Sequence, residues 1–185
     1  AKTVFIASRA NAIADVPLMN KGNQPTDDGN FFFNEEELAA ALAVEPFLQD
    51  YIRPFYGADE FIKNKKRYCL WLVNASPAEL RRSKIIMERL RNIKEFRAKS
   101  PKAATRQCAE TPALFQEIRQ PDCNYLLIPR VSSERRAYVP IGYMDKQAIA
   151  SDAVHIIPSA SLYHFGVLTS WVHMAWMRAV CGRLE

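Results

Sequence analysis

Tyr68-Cys69-Leu70-Trp71-Leu72-Val73, followed two residues later by Ser76-Pro77-Ala78-Glu79, is the stretch from which the fold is read. The first six residues are apolar and rich in aromatics, and the charged run Lys63-Asn64-Lys65-Lys66-Arg67 precedes them, which marks a strand. The next four open a helix. Ser76 can accept from a free amide of the first turn, Pro77 has no amide hydrogen to leave unpaired, and Glu79 can bond back. Leu80, Met87, Leu90 and Ile93, with Ile86 beside them, recur at helical spacing. One helix is therefore expected over 76–99, ended by Ser100-Pro101.

Towards the amino end, Phe31-Phe32-Phe33 reads as a short buried strand. Asn34 then caps a helix, with Glu37 completing the box, and Pro46 limits that helix to about Ala43. Residues 47–56 read as a second short amphipathic piece ending at Gly57, residues 8–30 as loop, and residues 3–7 as a strand. Towards the carboxyl end, Thr111-Pro112 starts a short helix carrying Leu114, Phe115 and Ile118. Strands are expected over 125–128, 138–143 and 154–157, then a helix over 163–180 with Gly182 past its end. Strands and helices mix without strict alternation. The expected fold is α+β, a mixed or antiparallel sheet with several flanking helices, among them a long basic helix and an apolar C-terminal one. All 185 residues are expected to form a single domain.

Apolar residues make up 49% and charged residues 24%, ordinary values for a globular chain with a real core. No apolar run approaches the ~20 residues of a membrane span, and no basic start leads into an apolar stretch. The chain begins on Ala1 and stops at Glu185 as a helical pattern closes, which reads as a domain cut from a longer protein. Cys69, Cys108, Cys123 and Cys181 form no Cys-x-x-Cys pair and have no nearby His, so reduced thiols in a cytoplasmic protein are expected.

Two absences shape the functional reading. The six glycines form no phosphate-cradling loop. Neither the Asn/Asp-Pro-Pro-Tyr/Phe block of amino-methyltransferases nor the Asp/Glu…Glu-x-Lys pattern of many nucleases occurs. His164, His173 and Ser170 have no third partner in a recognisable arrangement, which weighs against a self-contained hydrolase.

What remains is recognition. The expected long helix carries Arg81, Arg82, Lys84, Arg89, Arg91, Lys94, Arg97 and Lys99 against three glutamates. Arg81, Arg82 and Lys84 are the candidate phosphate contacts; a solvated face held by Glu-to-Lys and Glu-to-Arg pairs is an equal reading. Arg130-Val131-Ser132-Ser133-Glu134-Arg135-Arg136 connects two strands at the surface. Arg130, Ser132, Ser133, Glu134, Arg135 and Arg136 are the residue types that read base edges, since Arg reaches guanine, Glu the cytosine amine and Ser either. On composition alone a charged hairpin with a local Glu134–Arg pair is the simpler reading. Asn23 and Gln24 can pair with adenine and Lys21 adds charge, although Gly22-Asn23-Gln24-Pro25-Thr26-Asp27-Asp28-Gly29 is also turn chemistry. The run 63–67 is at least as well read as a solvated turn.

Four blocks carry a resemblance: Glu117-Ile118-Arg119-Gln120-Pro121, Leu127-Ile128-Pro129-Arg130-Val131-Ser132-Ser133-Glu134-Arg135-Arg136, Tyr163-His164-Phe165-Gly166-Val167-Leu168-Thr169-Ser170, and Ala175-Trp176-Met177-Arg178-Ala179-Val180-Cys181-Gly182-Arg183-Leu184. With Gly22–Gly29 and Arg67-Tyr68-Cys69-Leu70-Trp71-Leu72, they resemble the target-recognition domain of MmeI-like (type IIL) restriction-modification proteins over nearly the whole chain. The family's Asp-Gly-Gly is Asp27-Asp28-Gly29 here, so no role carries over to Asp28.

The resemblance implies double-stranded DNA as partner. It implies a parent chain with an adenine-specific methyltransferase domain that uses S-adenosyl-methionine, and magnesium where a nuclease is kept. By that resemblance the fragment itself is expected to hold no cofactor and no catalytic or metal residue. The resemblance also reverses the reading of residues 130–136 in favour of DNA contact. The rival from another class is a structural module that packs on the parent's other domains, for which the apolar face of 163–180 is suited. An RNA-binding module is a weaker rival, because the aromatics lie in apolar runs that look buried.

Overall fold

The computed structural model describes Ala7 and residues 12–181. The strand expected over 3–7, Ala7 apart, and the Gly182 cap lie outside the described residues. In chain order the elements are β1 (Asn20–Lys21), β2 (Phe32–Phe33), α1 (Glu35–Val44), a 3-10 turn (Pro46–Tyr51), β3 (Ile52–Tyr56), α2 (Ala58–Lys63) and β4 (Tyr68–Leu70). Then come α3 (Pro77–Arg81), α4 (Lys84–Ala98), α5 (Ala103–Gln107), a 3-10 turn (Cys108–Glu110), β5 (Tyr125–Pro129), β6 (Gly142–Met144), β7 (Ile149–Ala150), β8 (Val154–Pro158), α6 (Leu162–Leu168) and α7 (Trp171–Val180). No helix among the described residues is long and apolar enough to cross a membrane.

The α+β expectation holds, with two small sheets in place of one. The first has the order β1-β8-β5-β6 and is antiparallel throughout. The second has the order β2-β4-β3-β7, antiparallel except for the parallel pair of β3 with β7. β7 lies in one sheet and β8 in the other, so residues 151–153 carry the chain from sheet to sheet.

The larger core lies under the second sheet, where Phe31, Phe33, Leu48, Leu70, Ile86 and Ile93 are fully buried. Phe115 sits in an aromatic cluster there, its ring centroid 4.8 Å from Phe31 and 5.2 Å from Trp71. Strand β5 is buried on both faces. Tyr125 and Leu127 pack with Val154 and Ile156 towards Tyr56 and Phe61, whereas Leu126, Ile128 and Ile157 pack beneath Phe165 and Leu168 of α6.

The cap of α1 is as the sequence predicts: Glu37 donates its backbone N–H to Asn34 Oδ1 at 2.8 Å, and Asn34 donates back to Glu37 at 3.0 Å. Both long helices differ from expectation. The helix over 76–99 is two, α3 and α4, and the helix over 163–180 is two, α6 and α7. At the first break Ser83 caps α4, accepting from Ile86 N–H at 2.9 Å. The Glu45 carboxylate accepts from the Ser83 hydroxyl and, at 3.0 Å, from the Lys84 N–H, so a full negative charge meets the positive end of α4. At the second break Ser170 caps α7 through the His173 N–H at 3.1 Å.

Other segments differ as well. Residues 47–56 form a 3-10 turn and then a strand. Of the strand expected over 138–143 only Gly142 and Tyr143 pair, in a strand that runs on to Met144, while Val139 and Ile141 leave the ladder to cover Leu126 and Ile128. At Thr111 a single turn forms in place of the expected helix, with Leu114 N–H donating to Thr111 O at 3.1 Å. Met87, placed on the buried stripe by spacing, is exposed.

Candidate nucleic-acid interface

The crossover at 151–153 organises the candidate site. Gly22 N–H donates to Val154 O at 3.0 Å and Asn23 N–H to Ala150 O at 2.8 Å. A Cβ on Gly22 would stand 2.2 Å from Ser151 O, so only glycine allows this approach. The other side of the crossover is tied to the second sheet, where Ser151 N–H donates to Tyr56 O at 2.9 Å. Arg130 joins at the end of β5: its N–H donates to Ala153 O at 3.2 Å and its Nη1 to Asp152 O at 3.1 Å.

Asn23 is completely buried. Its amide donates to Gln120 Oε1 at 2.9 Å and to Ala150 O at 2.8 Å, and its Oδ1 accepts from Arg119 N–H at 2.7 Å. The expectation that Asn23 offers its amide to a base is corrected: all of that amide is used inside. Gln120, which sequence reasoning left without a role, bridges onward by donating to Ala148 O at 2.9 Å. Gln24 and Glu117 pair as a short antiparallel bridge, with backbone bonds of 2.9 and 3.1 Å. Three sequence blocks, 22–24, 117–120 and 127–130, therefore meet at one place. In the sequence these blocks are linked by the family resemblance, and nothing in their residues signals that they touch.

Lys21 projects beside them and pairs with Glu117 at 3.0 Å. It stands opposite His155 in the β1–β8 register, and His155 stands opposite Ile128 of β5, so Lys21, His155 and Ile128 share a face. Burial, together with the charge of Arg130, holds the His155 imidazole below its usual range, so it is neutral at pH 7.

Residues 130–136 rise from this foundation. Arg130, Ser133, Glu134, Arg135 and Arg136 are exposed and Ser132 is half-buried. A turn closes the loop, with Arg136 N–H donating to Ser133 O at 3.1 Å and Arg136 Nη1 reaching Ser132 Oγ at 3.4 Å. Arg178 of α7 donates to Ala137 O at 2.8 Å, tying the loop's far end to the last helix.

The basic helix face is smaller than the sequence implies. Arg97 is fully buried and gives five hydrogen bonds to backbone carbonyls: Thr26, Cys108, Thr111, Pro25 and Leu114, at 2.7 to 3.2 Å. Arg89 bonds the carbonyls of Asn30 and Phe32 and lies 3.9 Å from the Phe33 ring centre. Both belong to the core edge. Arg81, Arg82 and Lys84 remain exposed, with Arg82 5.3 Å from the Phe47 ring centre.

His164, His173 and Ser170 are local helix-end groups. His164 Nδ1 accepts from Ser161 N–H at 3.0 Å, and His173 Nδ1 bonds Leu168 O at 2.8 Å. All four cysteines are free, and burial raises the Cys69 thiol far above its usual range. No group of metal-ligating side chains gathers among the described residues.

Comparison with known proteins agrees along the whole chain. The family model described as "MmeI, target recognition domain" matches residues 1–185. DNA methyltransferase A of Bacillus subtilis (strain 168) is 35% identical over 184 residues, 100% of this chain and 21% of that protein. A solved structure of the type IIL restriction-modification enzyme MmeI in complex with DNA has a TM-score of 0.93 and 47% identity, covering 98% of this chain and 24% of that one. The chain thus spans about a fifth to a quarter of the length of these relatives. A core-to-loop plan of this kind, matched end to end at such identity, gives one conclusion: the chain belongs to the MmeI target recognition domain family.

Proposed function

We propose that this chain reads double-stranded DNA for a larger, cytoplasmic, site-specific adenine methyltransferase of a restriction-modification system. The observation that carries the reading is the meeting of the family's sequence blocks at the crossover, with the exposed 130–136 loop mounted on it. Arg130, Ser132, Ser133, Glu134, Arg135 and Arg136 contact base edges and nearby phosphates, and Lys21 and Gln24 line the same edge. Arg81, Arg82 and Lys84 grip the backbone farther away. The chain makes no bond itself. The methyltransferase domain of the same parent supplies S-adenosyl-methionine chemistry on an adenine flipped from the stack, and magnesium belongs to a nuclease where the parent keeps one.

A second reading, packing without base contact, draws support from the outer face of α6 and α7. Leu162, Tyr163, Trp171 and Val172 are each at least 70% exposed there. The two readings are compatible if that face seats the methyltransferase domain while the loop faces DNA.

Selection from a randomised duplex pool at moderate salt, followed by salt titration, separates them. A short enriched motif with steep salt dependence is expected. Arg130→Ala or Arg135→Ala should relax one position of that motif, losing about 1–3 kcal/mol of discrimination. Absence of binding at low salt would leave only the packing role.

A further inference from the structure

Glu117 and Arg119 belong to a sequence block that the loop-based reading leaves without a task. We propose that Lys21 and Arg119 form a phosphodiester-binding pair, and that the Glu117 carboxylate is an internal placeholder which a DNA phosphate displaces. This rests on the DNA-reading function proposed above.

Both cations converge on one oxygen. Lys21 Nζ stands 3.0 Å from Glu117 Oε2, and Arg119 Nη1 contacts the same atom. That oxygen is shielded from solvent, yet the three side chains are 37%, 33% and 34% exposed for Lys21, Arg119 and Glu117. Arg119 Nη1 is shielded as well, so the group is a preformed oxyanion seat that Glu117 fills, and the remaining part-exposed surface of the three side chains is where Glu117 can swing out. A phosphodiester oxygen asks the same of its donors as a carboxylate does. Lysine carries three donors and arginine five, so donors remain after Glu117 is served. Among the described residues only Gln24 Oε1, at 3.5 Å from Lys21 Nζ, takes another.

The seat is also rigid. Glu117 is laddered to Gln24, and Arg119 N–H is held by the buried Asn23. As a stability device the triad is weak, since the small gain from part-exposed ion pairs is offset by the entropy lost in ordering long side chains. Its position is better accounted for by a ligand: it lies beside the crossover that also anchors Arg130. Such a seat adds affinity without reading sequence, and the placeholder carboxylate restrains attachment to wrong sites.

The test uses the whole polypeptide that carries this chain, with non-specific and selected duplexes titrated in salt. Arg119→Gln should flatten the log–log salt slope by about 0.9, equivalent to roughly threefold between about 50 and 200 mM salt. Lys21→Gln, which touches no backbone bond, should do the same and serves if Arg119→Gln fails to fold. Glu117→Gln should bind any duplex more tightly and narrow the ratio of selected to non-specific affinity. Unchanged slopes in the lysine and arginine variants, or no tightening with Glu117→Gln, would overturn the pair. A lowered denaturation midpoint with unaltered slope would mark a purely structural triad, and so also counts against it. Failure of the wild type to bind duplex would instead sink the DNA-reading function itself.

Discussion

Arg97 shows how a side chain can carry the charge of a surface and the duty of a core. Its five bonds to carbonyls of Pro25, Thr26, Cys108, Thr111 and Leu114 hold two irregular segments against α4. A carbonyl left buried without a donor costs about 1–3 kcal/mol, so Arg97→Met should lower unfolding free energy by at least about 3 kcal/mol in a urea melt. Arg97→Lys should fall between, because three donors cannot serve five acceptors. A melt of Arg97→Met within about 0.5 kcal/mol of wild type would show that these carbonyls find water instead. Arg97 and Asn23 were the residues hardest to read from sequence. Composition gives a polar group's capacity to bond, and only the fold decides whether its partner is a ligand or the chain itself. Gly22 was legible as a turn residue, but the 2.2 Å approach that demands it depends on Ser151, distant in sequence.

At the scale of elements, caps were legible and breaks were not. Asn34–Glu37 and Ser76–Glu79 are local patterns, and both form as capping boxes. The break before α4 leaves the apolar spacing intact on either side, so periodicity reads straight through it. Ser83 was its signal, and the missing piece was Glu45, 38 residues away. Ser83→Ala should cost about 1–2 kcal/mol through the lost cap, read as a fall in denaturant midpoint. Glu45→Gln should cost less, since an amide oxygen still accepts from the Lys84 N–H. Equal stability of Ser83→Ala and wild type would mean that Glu45 alone holds the end of α4. After Thr111 the chain closes one turn, Leu114 N–H donating to Thr111 O at 3.1 Å, and goes no further, and the carbonyls of Thr111 and Leu114 both accept from Arg97. Strand 138–143 shortens because Pro140 has no amide hydrogen for a ladder.

For the molecule as a whole, the class α+β was legible from the mixed order of elements, and the division into two sheets was not. That division depends on three residues between β7 and β8 that have no distinctive sequence. The exposed apolar face of α6 and α7 was foreseeable from composition, because too many large apolar residues crowd a helix with one face to bury. The 185-residue chain alone should self-associate through it. Trp171→Lys with Val172→Glu should give a monomer by sedimentation without shifting the melting temperature, and persistent association would place the sticky surface elsewhere.

The crossover also sets where this domain can change length. Ser151 and its neighbours are bonded at once to Tyr56, Asn23, Gly22 and Arg130. One inserted residue between Ala150 and Val154 would throw two sheets out of register together. An insertion among residues 131–135 meets no ladder bond of the fold. A change of length is thereby borne by the exposed loop, while the ground beneath it stays fixed.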